Sequence, residues 1–331
     1  MSFSSEARNE VLKINIENDC CAIAFLSAII KCSGQINISE NGHKVVEVFT
    51  ELKNLYSKVN EIIKQYYGEE CEFALIEDSN ASKNDRFKIT LPYDITDRIL
   101  VDLGILQLDG SDRVVNNGIS DFIVADECCK RAYIMGAFVS SATSNIVIKK
   151  YSNEEKKNSG YHLEFVLGFD SLAFDLIKLL EYFEIHAKTT LRKGVRLVYI
   201  KDYQQICDTL ALVGASKAVL ELQNEATIRD LRNSVNRQNN CLNANLTKTI
   251  NASVKQLNAI KVIQENMGIE ALDENLSELC LIRLANPDES LDNLTKLCSK
   301  PVTKSGINHR FAKIIAIADK IQKDKLKIQM W

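Results

Sequence analysis

Apolar and polar positions along this chain change rhythm at regular intervals. Helical spacing governs 18–32, 52–67 and 94–105, and between these stretches the period shortens to two. The short-period runs predict strands at 35–39, 44–50, 71–77 and 85–91, as in Lys44-Val45-Val46-Glu47-Val48-Phe49 and Phe87-Lys88-Ile89-Thr90-Leu91. Glu40-Asn41-Gly42 and Asp78-Ser79-Asn80 supply turn chemistry between paired strands. The same order then recurs: a helix at 126–141, strands near 144–151 and 161–168, a helix at 170–183, strands near 186–191 and 195–200, and a helix at 203–213. Each half therefore reads αββαββα.

Residue identities support a duplication. Asp19-Cys20-Cys21 with Ala24-Phe25 is matched by Glu127-Cys128-Cys129 with Ala132-Tyr133, 108 positions on. Arg86, Tyr93, Leu100 and Gly104 pair with Arg196, Tyr203, Leu210 and Gly214 at an offset of 110. The first helix of each half carries a ridge of small residues spaced by four, Cys20, Ala24, Ala28 and Cys32 in one, Cys128, Ala132, Gly136 and Ser140 in the other. Small residues at this spacing let helix backbones approach closely, so the two ridges are expected to form the interface between the halves.

Beyond residue 222 the pattern becomes helical and polar. Six asparagines within 233–245 are poor helix formers, and imply specific hydrogen bonds or a break between two helices. A shorter helical unit follows. A first helix, 274–284, stops at Asn286-Pro287. Ser290 can cap a second, 291–298, with Asp292 in its first turn, and Thr303 a third, 304–322. This matches a three-helix helix-turn-helix module. Ile307, Phe311, Ile314 and Ala318 share one face of the third helix and should be core. At 100° per residue Ser305, His309 and Lys313 lie opposite, flanked by Asn308 and Arg310.

Charge sharpens this picture. The chain of 331 residues is net −3, yet 294–331 is net +7, leaving −10 on the rest. An acidic body with a basic end implies a polyanionic partner at that end. The first ten residues show no secretory signal, and no apolar stretch reaches the roughly 20 residues of a membrane span, so a cytoplasmic, nucleoid-associated protein is expected. Ten cysteines, with no CxxC pair and many in helical segments, read as small hydrophobes. Four scattered histidines complete no metal motif, so no metal and no cofactor is expected.

The duplicated helices resemble the LAGLIDADG homing endonuclease motif, which maps onto Leu26 to Gly34 and Ile134 to Ala142. In that family the eighth motif residue is an acid that holds the catalytic divalent metal. Here it is Ser33 and Ser141, and no Asp or Glu lies between Asp19 and Glu40 or between Glu127 and Glu154. A serine hydroxyl is a poor ligand for a hard cation, so metal-assisted cleavage lacks its means and no enzyme activity is expected.

A repeat of this kind without its acids, joined to a helix-turn-helix, resembles the WhiA family of bacterial transcriptional regulators. Arg131-Ala132-Tyr133 with Gly136-Ala137-Phe138, Tyr199-Ile200-Lys201 with Gly214-Ala215, the Asn236-Arg237 to Lys248 segment, and Lys304-Ser305-Gly306-Ile307-Asn308-His309-Arg310 carry the likeness. Where that family usually has Ser-Gly after the second motif helix, this chain has Ser141-Ala142-Thr143-Ser144. The resemblance implies a regulator of sporulation or cell division.

The expected fold class is α+β, two αββαββα repeats followed by an all-α helix-turn-helix domain. The expected divisions are 1–110, 111–221, a helical linker 222–268, and 269–331. Double-stranded DNA is the expected partner, with RNA polymerase or another regulator as a further candidate. Ser305, Asn308, His309 and Arg310 are the candidates for base contacts, and Lys300, Lys304 and Lys313 for phosphates. The acidic repeats are expected to serve protein contacts or to orient the reader. Lys149, Lys150, Lys156 and Lys157, or Arg192, Lys193 and Arg196, form local basic patches there that also read as solvated turns. The alternative function is a non-specific DNA or protein interaction factor in cell division or chromosome organisation.

Overall fold

A helix that the periodicity does not single out, α1 (Phe3–Val11), precedes the first repeat in this computed structural model, which describes residues 2–38, 44–76, 85–109, 112–146 and 160–329. Its buried Phe3, Ala7 and Val11 are spaced by four, but the helix is short and otherwise polar. The chain divides into two compact units, Met1–Ile228 and Arg229–Trp331.

In the first unit the duplicated order is realised. The first repeat comprises α2 (Asp19–Ser33), β1 (Gly34–Ile38), β2 (Lys44–Thr50), α3 (Lys53–Tyr67), β3 (Glu72–Ile76), β4 (Arg86–Thr90) and α4 (Thr96–Asp102). A hairpin that the sequence pattern missed, β5 (Leu106–Asp109) and β6 (Asp112–Val115), links it to the second repeat. There follow α5 (Glu127–Ser141), β7 (Ala142–Ser144), β8 (Leu163–Leu167), α6 (Asp170–Tyr182), β9 (Lys188–Arg192), β10 (Val195–Ile200) and α7 (Tyr203–Leu212). The sheets have orders β1-β2-β4-β3 and β7-β8-β10-β9, with every pairing antiparallel.

Register repeats as well as order. Gly34 faces Val48, which faces Ile89, and in the second sheet Ala142 faces Phe165, which faces Val198. Val48, Ile89, Phe165 and Val198 are all fully buried beneath the helices. The matched glycines have a common cause: Gly104 and Gly214 both take positive φ, 63° and 81°, just past α4 and α7. There the chain turns back so that Ile105 N–H reaches Leu100 O and Ala215 N–H reaches Leu210 O. The departure from the family pattern at Ala142 leaves the turn nearly unchanged, with φ, ψ of −77°, 136° against −83°, 147° at Gly34.

The small-residue ridges do form the seam. At Gly136 an added Cβ would lie 2.3 Å from the Phe25 carbonyl oxygen and 2.8 Å from the Ala28 Cβ, so the two backbones are in near contact. The helices run side by side in the same sense. Cys20 and Cys21 meet Cys128 and Cys129 at one end, and Cys32 meets Ser140 and Ser141 at the other. The strand expected at 144–151 is confined to β7 among the described residues, and Lys149, Lys150, Lys156 and Lys157 lie outside them, as do both predicted turns of the first repeat.

Of the two alternatives for the asparagine-rich segment, the break between two helices does not occur. A single helix, α8, runs over Ser216–Asn266, with Asn233 to Asn245 exposed along it. Exposed asparagines lose little to water, so their low propensity is outweighed by the uninterrupted backbone ladder. Glu10 caps its start, accepting from the Lys217 and Ala218 N–H groups at 2.8 and 3.2 Å, where a carboxylate complements the helix dipole.

The second unit contains the end of α8 with α9 (Glu274–Ala285), α10 (Leu291–Leu297) and α11 (Lys304–Gln329). Its core joins Ile260 and Ile263 to Leu276, Leu279, Leu294 and the four predicted residues of the third helix, Ile307, Phe311, Ile314 and Ala318. Within the described residues, no helix is long and apolar enough to cross a membrane.

Candidate nucleic-acid interface

The orientation of α11 follows from its apolar stripe. Ile307, Phe311 and Ile314 are sealed in the core, which turns Ser305, Asn308, His309 and Lys313 outward. All four are exposed, and Arg310 is half-buried at the edge. Both predicted caps form. Ser290 Oγ accepts from Asn293 N at 3.3 Å and Thr303 Oγ1 from Gly306 N at 3.1 Å. Asp273 caps α9 in the same way, accepting from Leu276 N at 3.0 Å.

Arg283 and Glu278, which the sequence reading did not select, fix this geometry together with Asp292, which it noted only as a first-turn acid. Arg283, 1% exposed, donates from one guanidinium nitrogen to the carbonyls of Asn286, Pro287 and Glu289 at 3.2, 3.3 and 2.7 Å. Its guanidinium also lies 5.4 Å from the Phe311 ring centre, so one buried cation ties the α9–α10 turn to α11. Its signal was a lone charge inside the apolar run Leu279 to Leu284. Glu278 accepts from Ser299 N at 2.6 Å, a bond that holds its carboxyl below the usual range, and so fixes the approach to α11. Asp292 accepts from Lys304 Nζ at 2.6 Å.

These acids divide the predicted cations. Lys304 is paired with Asp292, and Lys300 lies 3.9 Å from Glu274. Arg310 is in the field of Glu278. Lys313 stands out on the exposed face one turn further on. Exposed ion pairs are worth roughly 0–1 kcal/mol, so exchanging Asp292 or Glu274 for a phosphate costs little.

At the C-terminal end of the paired helices the motif positions hold no carboxylate. Ser33 Oγ donates to Ile29 O at 3.0 Å and Ser141 Oγ to Ala137 O at 2.8 Å, so each hydroxyl hydrogen is directed to its own helix. Burial pushes the neighbouring Cys32 thiol up to about 11. Beside it Lys31 donates to the carbonyls of Asn116, at 3.0 Å, and Gly118, and burial brings its ammonium down to about 8. Among the described residues the only group of metal-ligating side chains is elsewhere: Cys20, Cys21, Cys128 and Cys129. The sequence reading took the cysteines as small hydrophobes, and the fold brings four of their sulfurs together. Spacing rules search within one segment, whereas the duplication brings together two pairs 108 positions apart.

Several cations of the sheets are paired with acids. Lys88 donates to Glu47 at 2.8 Å, and His162 lies 2.9 Å from Glu164. Of the second predicted patch, Arg196 is held by a two-point pair to Asp170 at 2.7 Å. Lys193 shares a tight two-residue turn with Gly194, both at positive φ, and Arg192 is exposed.

Three family models cover most of the chain. The WhiA N-terminal LAGLIDADG-like domain matches 19–106, the WhiA LAGLIDADG-like domain 130–232, and the WhiA C-terminal HTH domain 235–318. A protein of Clostridium acetobutylicum named probable cell division protein WhiA is 35% identical over 98% of this chain and 99% of its own length. The chain belongs to the WhiA family. A relative of the same name from Clostridium beijerinckii is 37% identical, covering 98% of this chain and all of its own. The full-length DUF199/WhiA structure from Thermatoga maritima shares the fold, with a TM-score of 0.56 at 24% identity over 97% of this chain and 99% of that one. The two αββαββα repeats are thus the LAGLIDADG-like domains of the WhiA family, and the second unit contains its helix-turn-helix domain.

Proposed function

We propose that this chain is a sequence-specific DNA-binding transcriptional regulator, acting in cell division or sporulation, whose repeats no longer cleave DNA. The observation that carries the reading is α11: its apolar stripe is locked in a core while Ser305, Asn308, His309 and Lys313 project from its N-terminal half. A helix held this way presents donors and acceptors to base edges in the major groove. The names of the relatives support cell division as the process. Ser33 and Ser141 support loss of cleavage, since neither supplies a carboxylate for a hard cation.

Lys313, Lys300 and Lys304 are assigned to phosphates, and Ser305, Asn308, His309 and Arg310 to bases. The test is fluorescence anisotropy of the full-length protein on genomic fragments across a salt series. Arg310→Ala is expected to cost about 1–3 kcal/mol on the preferred site only, while Lys313→Ala weakens all sequences alike and lowers the salt slope by about one. Unchanged affinity in both variants overturns the assignment. Equal affinity for every fragment favours the alternative, a non-specific factor in chromosome organisation.

A further inference from the structure

We propose that Cys20, Cys21, Cys128 and Cys129 form a four-thiolate site for a zinc-class divalent cation, built across the seam between the two repeats. The four sulfur atoms all lie within 4.8 Å of one another, and those of Cys128 and Cys129 are 4.0 Å apart. A tetrahedral zinc with bonds of about 2.3 Å places its sulfurs about 3.8 Å apart, so rotation of the thiols closes the remaining gap. Cys21 and Cys129 are buried between the helices while Cys20 and Cys128 lie at the exposed rim. Two inner and two outer donors surround a point that solvent ions can reach.

The donor set decides the class of ion. It contains sulfur alone, which selects zinc over magnesium or calcium. Position decides the charge balance. All four cysteines lie in the first turns of α2 and α5, and these two N-termini point the same way. A divalent ion with four thiolates carries two negative charges, and each helix N-terminus contributes roughly half a positive charge toward it. Both first turns are also fastened from outside. Tyr66 donates to Asp19 at 2.7 Å, Tyr182 donates to Glu127 at 3.3 Å, and Lys130 donates to Ala125 O at 2.9 Å while lying 4.8 Å from the Tyr182 ring centre. The site is therefore pre-positioned by the fold, at the opposite end of the helices from Ser33 and Ser141. Binding would clamp the N-terminal ends of two helices that otherwise meet through their close-packed ridges and, at the far end, through Cys32 with Ser140 and Ser141.

The test uses the reduced full-length protein. Metal analysis after purification without added ions is expected to give one zinc per chain. Cobalt(II) titration of the stripped protein should give intense tetrahedral d–d bands with sulfur-to-metal charge transfer, displaced by zinc. Zinc should raise the melting temperature of the stripped protein and leave that of Cys20→Ser/Cys128→Ser unmoved. Those two side chains are exposed, so the variant keeps its core, and the cobalt titration needs no variant. Absence of a cobalt spectrum, iron in place of zinc, or an undiminished spectrum in the double variant would each overturn the proposal. So would finding the four sulfurs as two disulfides that resist mild reduction.

Discussion

Replacing Gly136 by alanine should loosen the fold at its central seam. The new methyl would fall 2.3 Å from the Phe25 carbonyl oxygen and 2.8 Å from the Ala28 Cβ, where ordinary contact begins near 3.4 Å. The struck atom is main chain, so no rotamer change relieves it, and α2 and α5 must move apart by about 1 Å. Alanine is the better helix former by about 1 kcal/mol, which acts in the opposite direction. Overpacking of a tight core costs about 1–3 kcal/mol, occasionally more, and separation also weakens dispersion along the rest of the ridge. A net loss of about 2 kcal/mol is expected. Gly168→Ala is the control, since nothing lies within 4 Å of its added Cβ, and it should stay within about 0.5 kcal/mol. Native-state hydrogen exchange on α2 and α5 reads the effect locally, without assuming that the two units unfold together. Protection in Gly136→Ala equal to or above that of the parent chain would refute the close-packed seam.

Arg283→Met removes the donor to three carbonyls and the Phe311 contact, although Pro287 O still accepts from Ser253 Oγ and Asn286 O from Glu289 N. It should destabilise the second unit by about 1–3 kcal/mol in urea unfolding followed by exchange on α9 and α11. Ser290→Ala and Thr303→Ala should each cost about 1 kcal/mol in the same unit, read as a lower urea midpoint. Lys31 has an ammonium brought down from 10.5 to about 8, so between these values the unfolded chain binds more protons and stability rises with pH. The unfolding free energy of the parent chain minus that of Lys31→Met should therefore increase from pH 8 to 10.5, and a flat difference would exclude the shift.

The legible parts of this protein are those where one segment's pattern was decisive. Val46 and Val48 alternate with half-buried neighbours, and Ile307, Phe311 and Ile314 recur at helical spacing, so strand and helix faces follow from local periodicity. Gly104 and Gly214 were visible as a matched pair because a backbone turn at positive φ demands the same residue twice. What stayed hidden depends on distant partners. Arg283 looks like an error in an apolar run until the turn at 286–289 folds over it. The β5–β6 hairpin has no counterpart in the second repeat, so comparison of the halves could not reveal it. Lys304 carries the charge expected of a phosphate ligand, but only the placement of α10 brings Asp292 to it.

Duplication explains why the two ends of the motif helices have diverged. Where two copies of one helix pack side by side, every position on the ridge meets its own counterpart, so any chemistry on the ridge is doubled. At the C-terminal end that doubling yields Ser33 and Ser141, hydroxyls bonded back to Ile29 and Ala137, with the half-buried Lys31 beside them. Hydroxyls are poorer ligands than carboxylates for hard cations. At the N-terminal end the same doubling turns a Cys-Cys dipeptide, unremarkable in either copy, into four convergent sulfurs. Between the ends, Gly136 and Ala28 permit the approach on which both outcomes depend. Widening the seam should accordingly disperse the sulfur cluster as well as lower stability, so Gly136→Ala should weaken cobalt binding although it alters no proposed ligand.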